Sequence, residues 1–269
     1  MNHPSVIHWH TVDEIITIGF QRSRIVMMNE AHDGYTRCIR TRRVGQQLLS
    51  AAHTAGARYL AMEALNAEVP ELIAEIHQTR QLPKQDLQQV GAYFIHPEMQ
   101  VFVQTALDLG WTLIPYEADV LHMPAHLRQH DTFSQEVTNW REEEQARNLL
   151  KAIENLPTEA KILVWCGNGH HCKIAVKASE TYPIPWLPMG YQFKQLSGID
   201  PFVIDQDRTV RFSSRQREYR QIQRYLDLVA GILQTFGGTA GVLSEDAPAE
   251  LLPRDSNGAY VISLENEME

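Results

Sequence analysis

The chain has 269 residues, of which 43% are hydrophobic and 21% are charged, so it is long enough to bury the core of one large domain. Its formal charge is −9, which argues against a nucleic acid duplex or an anionic membrane as a partner, since both attract a basic surface. The composition does not indicate disorder.

Cysteine content and the start of the sequence predict the compartment. The three cysteines, Cys38, Cys166 and Cys172, fit neither a disulfide framework nor a four-cysteine zinc module. The first residues lack the basic and apolar regions of a signal peptide, and no long apolar span follows. We therefore expect a protein of the reducing cytoplasm that does not enter a membrane.

The first third of the chain predicts a strand, a helix and a second strand. Residues 24–28 form a short run of β-branched and Met side chains. Asp33-Gly34 then precedes a segment with apolar residues at helical spacing, which Gly56 ends. Residues 58–62 form the second strand, so this part reads as a βαβ unit with two neighbouring parallel strands.

Helices and strands continue to alternate along the chain. Further helices are predicted at 70–79, 97–109, 133–155 and 215–236, and further strands at 111–116, 161–166, 202–205 and 259–262. Residues 181–201 are rich in Pro, Gly and aromatic side chains, which favours an ordered loop or lid. The Asn257-Gly258 turn indicates that the last strand lies at an edge of the sheet.

This order of elements predicts one α/β domain over residues 1–269. Its core covers residues 24–207, and residues 215–269 add a helix and short strands. We expect a mostly parallel central sheet with helices on both faces.

Charged or histidine-bearing clusters follow four of the apolar runs. They are Asn29-Glu30-Ala31-His32-Asp33, Glu63, Glu117-Ala118-Asp119 and Gly167-Asn168-Gly169-His170-His171. The carboxyl ends of parallel strands meet at one edge of a sheet, where open α/β folds bind their ligands. The sequence therefore predicts a hydrolytic or ligand-binding site at that edge.

Glu30 and His32 point the same way from an extended backbone, because side chains alternate along a strand. A carboxylate beside an imidazole raises its basicity, as a general base acting on water requires. The alternative is an N-cap cluster, in which His32 or Asp33 binds the first amides of the next helix.

Glu63 ends an otherwise apolar strand, so its carboxylate needs a partner or a raised pKa. The alternative is a carboxylate that caps the following turn in solvent. His170 follows a glycine pair that lets the backbone approach a ligand, although such a turn can also simply end a strand. Arg141 lies early in a helix that starts from the same edge, where it can pair with Glu30 or Glu63 or stabilise an oxyanion. Its alternative is a solvated charged face, since an Arg-Glu-Glu-Glu run is usually exposed.

A metal centre is the main competing chemistry. Glu30, His32, Glu63 and His170 would be the ligands, with an open position for water. A thiol nucleophile at Cys172 ranks third, because the adjacent His171 does not face it on a regular backbone. No phosphate loop, nucleophile elbow or dinucleotide fingerprint is present.

These motifs resemble those of a known superfamily. Asn29-Glu30-Ala31-His32-Asp33, Glu63 and Gly169-His170, each after a strand, are similar to the motifs of the superfamily that joins erythromycin esterases, haem-binding uptake (ChaN-like) proteins and Tiki/TraB proteases. The resemblance covers residues 24 to about 207. Segments 186–190 and 198–201 look like those of a soluble bacterial subgroup.

The esterase branch implies a metal-independent hydrolase. The resemblance makes His32 the base, Glu30 and Glu63 the orienting carboxylates, and His170 with Arg141 the electrostatic helpers. Two departures stand out: Asn29 replaces a usual Gly, and the spacing is Glu-x-His, as in the haem-uptake branch, where the esterases have Glu-x-x-His.

The other branches imply different ligands. The haem-uptake branch implies a haem-binding protein, with Tyr35, Tyr116 or His171 as contacts, and the Tiki branch implies a metal-dependent peptidase. The leading prediction is a hydrolase acting on an ester, lactone or amide of a small molecule. Such a hydrolase needs no cofactor, whereas proteins of the other branches would use haem or a divalent metal. We expect the substrate to contact Asp33, Tyr35, Arg37, Tyr116, Glu117, Glu144 and His171.

Overall fold

The computed structural model describes residues 7–31, 35–167, 169–178, 183–206, 209–210, 229–247 and 257–264. The side chains of residues 35–37, 209, 210 and 264 are not described. His32, Asp33 and most of the helix predicted at 215–236 therefore lie outside the described residues, as do the side chains of Tyr35 and Arg37.

Helices and strands alternate through most of the described chain. The helices are α1 (Val12–Arg22), α2 (Tyr35–Thr54), α3 (Pro70–Thr79), α4 (Leu87–Val90), α5 (Pro97–Asp108), α6 (Gln135–Glu154) and α7 (Met189–Ser197). The strands are β1 (Ile25–Glu30), β2 (Ala57–Met62), β3 (Thr112–Pro115), β4 (Lys161–Gly167), β5 (Phe202–Asp205), β6 (Thr209–Val210), β7 (Thr239–Leu243) and β8 (Gly258–Leu264). Residues 229–235 are also helical, and short 3-10 turns occupy Ala92–Ile95, Val120–His122 and Leu127–Gln129.

The strands form one sheet in the order β3-β2-β4-β1-β5-β8-β6, and β7 pairs with β8. Every pairing is parallel except that of β7 with β8. Two predictions are wrong. β1 and β2 are not neighbours, because β4 lies between them, and β8 is not an edge strand, because it pairs with β5, β6 and β7.

Successive side chains of the central strands pack on opposite faces of the sheet. On β1, Val26 and Met28 join the hydrophobic core that includes residues of α1, α2 and α5. Ile25 and Met27 join the core on the other face, which includes residues of α6 and α7. The predicted α/β fold, with a mostly parallel sheet between two layers of helices, is confirmed.

Local sequence explains where several elements begin and end. The Ser134 hydroxyl accepts a hydrogen bond from the Val137 amide and caps α6, and Gly56 adopts a positive φ of 97° just after α2. The prediction of a loop throughout residues 181–201 is wrong, because α7 starts directly after Pro188 and buries Met189 and Phe193. Among the described residues, no helix combines the length and apolar character needed to cross a bilayer.

Candidate active site

The site lies where β2, β4 and β1 end side by side. Glu30, the last residue of β1, pairs with Gly167, the last residue of β4. On the other side of β4, the Glu63 amide donates to the Trp165 carbonyl, and the Gly167 amide donates to Glu63 Oε2 over 2.8 Å. The end of β4 therefore holds one carboxylate on each flank.

Glu30 is held by a buried arginine. Arg42 of α2 donates from Nε and Nη2 to the two Glu30 oxygens, at 2.8 and 3.0 Å, and the Trp165 indole donates to Oε2 over 3.0 Å. Both side chains of this ion pair are 2% exposed. Burial alone would lower the pKa of Arg42, but the hydrogen bonds and charge of Glu30 outweigh it and raise the pKa.

Arg42 did not figure among the residues predicted from the sequence. The sequence could have indicated Arg42 through its helical spacing from Gly45, Leu49 and Ala52, which are all buried. A charged residue in register with a buried helix face needs a partner in the core.

Glu63 shares a cation with Glu117. Arg141 Nη2 lies 2.5 Å from Glu63 Oε1 and 2.5 Å from Glu117 Oε2, and its Nε donates to Glu117 Oε1 over 3.0 Å. Gln145 also donates to Glu117 Oε1, over 2.9 Å. Burial would lower the pKa of Arg141, but the two carboxylates raise it, so the guanidinium stays charged. Its side chain is 39% exposed and therefore reaches the open part of the site.

His170 completes this group from the turn after β4. Its Nε2 lies 3.7 Å from Glu63 Oε1, and its Nδ1 lies 2.7 Å from Glu142 Oε1. Burial lowers the pKa of His170, but the charges of Glu63 and Glu142 outweigh it and raise the pKa to about 9. At neutral pH, His170 is therefore an imidazolium.

Glu142 is fully buried and binds three groups. Besides His170, it accepts from the Trp186 indole over 2.8 Å and from the Met189 amide, at the start of α7, over 2.6 Å. The alternative of a solvated Arg-Glu-Glu-Glu face therefore does not apply to Glu142. The sequence could have indicated that Glu142 is buried through its helical spacing from Ala146 and Leu149, which are also buried.

Two glycines let α7 and the loop before it approach the turn that carries His170. The Gly190 amide donates to the His170 carbonyl over 2.8 Å, and a Cβ at Gly190 would lie 2.3 Å from the His171 carbonyl oxygen. A Cβ at Gly169 would lie 2.6 Å from the Trp186 ring. Larger side chains at either position would push this turn away from its neighbours.

Tyr93 is a further residue that the motifs did not indicate. The Arg42 guanidinium carbon lies 5.6 Å from the centre of its ring. Burial and the charges of Glu63 and Glu30 raise the pKa of its hydroxyl. Tyr93 therefore lies in the electrostatic field of both carboxylates.

The other residues predicted to contact substrate are placed differently. Tyr116 is fully buried and donates to the Trp165 carbonyl over 3.0 Å, and its contact with a substrate stays a prediction. Glu144 lies 4.0 Å from Arg147, whereas the next residue, Gln145, contacts Glu117. His171 is 4% exposed and lines a cavity beside the site.

The carboxylates of the site bind cations of the protein itself. Arg42 neutralises Glu30, and Arg141 neutralises both Glu63 and Glu117. Within the described part of the chain, no group of three or more His, Cys, Asp or Glu side chains is arranged to hold a metal. The predicted ligand set also included His32, which lies outside those residues.

Comparisons with known proteins give structural matches. No family model matches the sequence, and no curated protein is similar to it at the sequence level. An erythromycin esterase mutant, EreC in its open conformation, is similar over 96% of this chain and 97% of that chain, with a TM-score of 0.61 and 13% identity.

Two further structures are also similar. RRSP, a MARTX toxin effector domain from Vibrio vulnificus CMCP6, matches 72% of this chain and 35% of that chain, with a TM-score of 0.50 and 14% identity. The chain thus spans about a third of the length of that toxin chain. ChaN of Campylobacter jejuni, with cofacially bound haem, has a TM-score of 0.43 and 9% identity. The chain shares its fold with the erythromycin esterase, as the predicted resemblance implies.

Proposed function

We propose that this protein is a hydrolase that adds water to an ester, lactone or amide bond of a small molecule. The observation that carries the proposal is the convergence of Glu63, Arg141 and His170 at the carboxyl ends of β2 and β4. Two cations therefore lie at the edge where parallel sheets bind their ligands. Such cations stabilise the oxyanion that forms when water attacks a carbonyl group.

The protonation of His170 assigns the roles. An imidazolium with a pKa of about 9 donates protons and stabilises negative charge, and it does not act as a base at neutral pH. The base must be another group. We assign that role to His32 from the sequence, because it lies two residues after Glu30 and one after Ala31, which is buried at the same edge.

Glu30 acts as an orienting group in this proposal. Arg42 and Trp165 together occupy both of its oxygens, which holds the carboxylate in one position. Rigid support of this kind keeps neighbouring catalytic groups in place. Glu63 is held similarly by the Gly167 amide and Arg141, so neither carboxylate is a good candidate for a nucleophile.

The similarity of the fold to that of an erythromycin esterase supports a hydrolase in a general way. The substrate is proposed here only as a class, namely a small carbonyl compound with a hydrolysable bond. A panel of nitrophenyl esters, lactones and anilides tests this class directly.

The central experiment replaces His32 by Ala. We expect turnover of the best substrate in that panel to fall about 10²- to 10⁴-fold, the usual contribution of a general base, without loss of the circular dichroism spectrum. His122→Ala is the matched control, because the His122 side chain is 79% exposed and lies outside the convergent group. Turnover retained in His32→Ala, or a loss of activity that only accompanies unfolding, would contradict the proposal.

A further inference from the structure

A cavity of about 370 Å³ lies beside the site, between residues 171–176 and the ends of β5 and β8. This volume falls within the range of small-molecule sites. A water molecule takes up about 30 Å³ of the liquid, so the cavity has room for about a dozen groups of that size. Most of the lining side chains are apolar, among them Ile174, Ala175, Val176 and Val203.

The polar part of the wall disfavours an anion. Asp205 and Ser244 contribute a carboxylate and a hydroxyl group. Lys173 also lines the cavity, but its ammonium group binds Asp200 Oδ1 and the carbonyls of Pro201 and Asn257, at 2.8 to 3.1 Å. These bonds use the three N–H donors of a lysine, so the ammonium group has no donor left for an anionic ligand. The cavity therefore suits a neutral apolar group that has at most a hydrogen-bond donor.

Residues of the cavity wall are connected to both sides of the site, by sequence on one side and by a hydrogen bond on the other. His171, in its wall, directly follows His170. On the other flank, Asp205 accepts a hydrogen bond from Asn29 over 3.2 Å, and Asn29 directly precedes Glu30. The cavity thus borders a residue that adjoins His170 in sequence and another that contacts the neighbour of Glu30.

We propose that this cavity binds an uncharged aliphatic or aryl group of the substrate, while the bond to be hydrolysed lies at Glu63, Arg141 and His170. The assignment of a substrate rests on the proposed hydrolase function, whereas binding in the cavity does not. The proposal narrows the substrate to a carbonyl compound with an apolar arm. The comparison of the cavity volume with that of water gives this arm about ten non-hydrogen atoms.

The first experiment measures binding without turnover. Straight-chain alcohols from butanol to decanol are titrated into the full-length protein by calorimetry. We expect affinity to rise about fourfold for each added methylene group until the cavity is filled. Absence of binding, or tighter binding of octanoate than of octanol, would overturn the assignment of a neutral apolar ligand.

Variants then locate the binding site. Ala175→Trp should fill the cavity and weaken octanol binding at least tenfold. Val176→Trp, at a side chain that is 45% exposed, is a second filling variant in case the first fails to fold. Val101→Trp is the matched control on α5, since Val101 is 47% exposed and does not line the cavity. Unchanged octanol binding in a folded filling variant would refute the location.

Ester hydrolysis separates this proposal from the proposed function. Octanoyl and acetyl nitrophenyl esters are compared in the wild type and in Ala175→Trp, and we expect only the octanoyl ester to lose kcat/KM. If octanol binds in the cavity but no ester is hydrolysed, the hydrolase proposal fails and the binding site stands. If both esters are hydrolysed equally and octanol does not bind, the cavity proposal fails and the hydrolase stands.

Discussion

Replacing Glu142 by Gln should lower the pKa of His170 and reduce the stability that its charge provides. The wild-type pKa of about 9, against a usual value of 6.5, corresponds to about 3 kcal/mol at 1.36 kcal/mol per pH unit. Because the folded pKa is the higher one, this stabilisation is complete below pH 6.5 and is lost as pH rises through about 9.

The hydrogen bond to Glu142 accounts for part of this effect. A hydrogen bond to a charged group is worth about 1.5 to 3 kcal/mol, so the substitution should lower the pKa of His170 by about one to two pH units. The charge of Glu63, 3.7 Å away, remains in the variant and keeps raising the pKa. The stability lost between pH 6 and pH 10 should shrink by the corresponding amount.

The assay is an NMR titration of the histidine ring protons, with the His170 signal assigned from the spectrum of His170→Gln. Urea unfolding at several pH values gives the matching free energies. Glu154→Gln removes the same charge from an exposed position of α6 and should leave the His170 pKa unchanged. A wild-type His170 that titrates near 6.5, or a pKa that Glu142→Gln does not lower, would refute this account of the site.

Three further predictions follow from the ion pairs. Arg42→Met removes the partner of the buried Glu30 carboxylate and should lower the free energy of unfolding in urea by about 3 to 5 kcal/mol. The loss should be smaller when Glu30→Gln is added, because no unpaired carboxylate is then buried. Equal losses in the single and the double variant would argue against the ion pair. In Arg141→Lys, the ammonium group lacks the planar fork with which the guanidinium bridges Glu63 and Glu117. This variant should lower kcat/KM about a hundredfold with little change in stability. Turnover equal to that of the wild type would remove Arg141 from the mechanism. Dialysis against EDTA should leave turnover intact, because arginines already neutralise the carboxylates, and activity that zinc or manganese restores would indicate a metal enzyme.

The chain segments that form the site could be identified from the sequence. Residues 162–166 are an unbroken apolar run, and such a run predicts a strand buried on both faces whatever surrounds it. The same reasoning located β1, β2 and β5, and the polar residues that follow three of these strands indicated Glu30, Glu63 and His170. Local sequence is sufficient for this, because hydrophobic periodicity acts within each segment.

Strand order and helix phase were decided only in the tertiary structure. The insertion of β4 between β1 and β2 depends on pairing between segments more than 100 residues apart, which local propensity does not encode. Successive residues of a helix differ by about 100° in direction, so only packing against α7 determines that Glu142, and not Glu144, faces His170. The packing of α2 and α6 on the sheet likewise determines that Arg42 binds Glu30 and that Arg141 binds Glu63. The sequence by itself determined which residues reach the edge of the sheet, and tertiary packing decided which charges meet there.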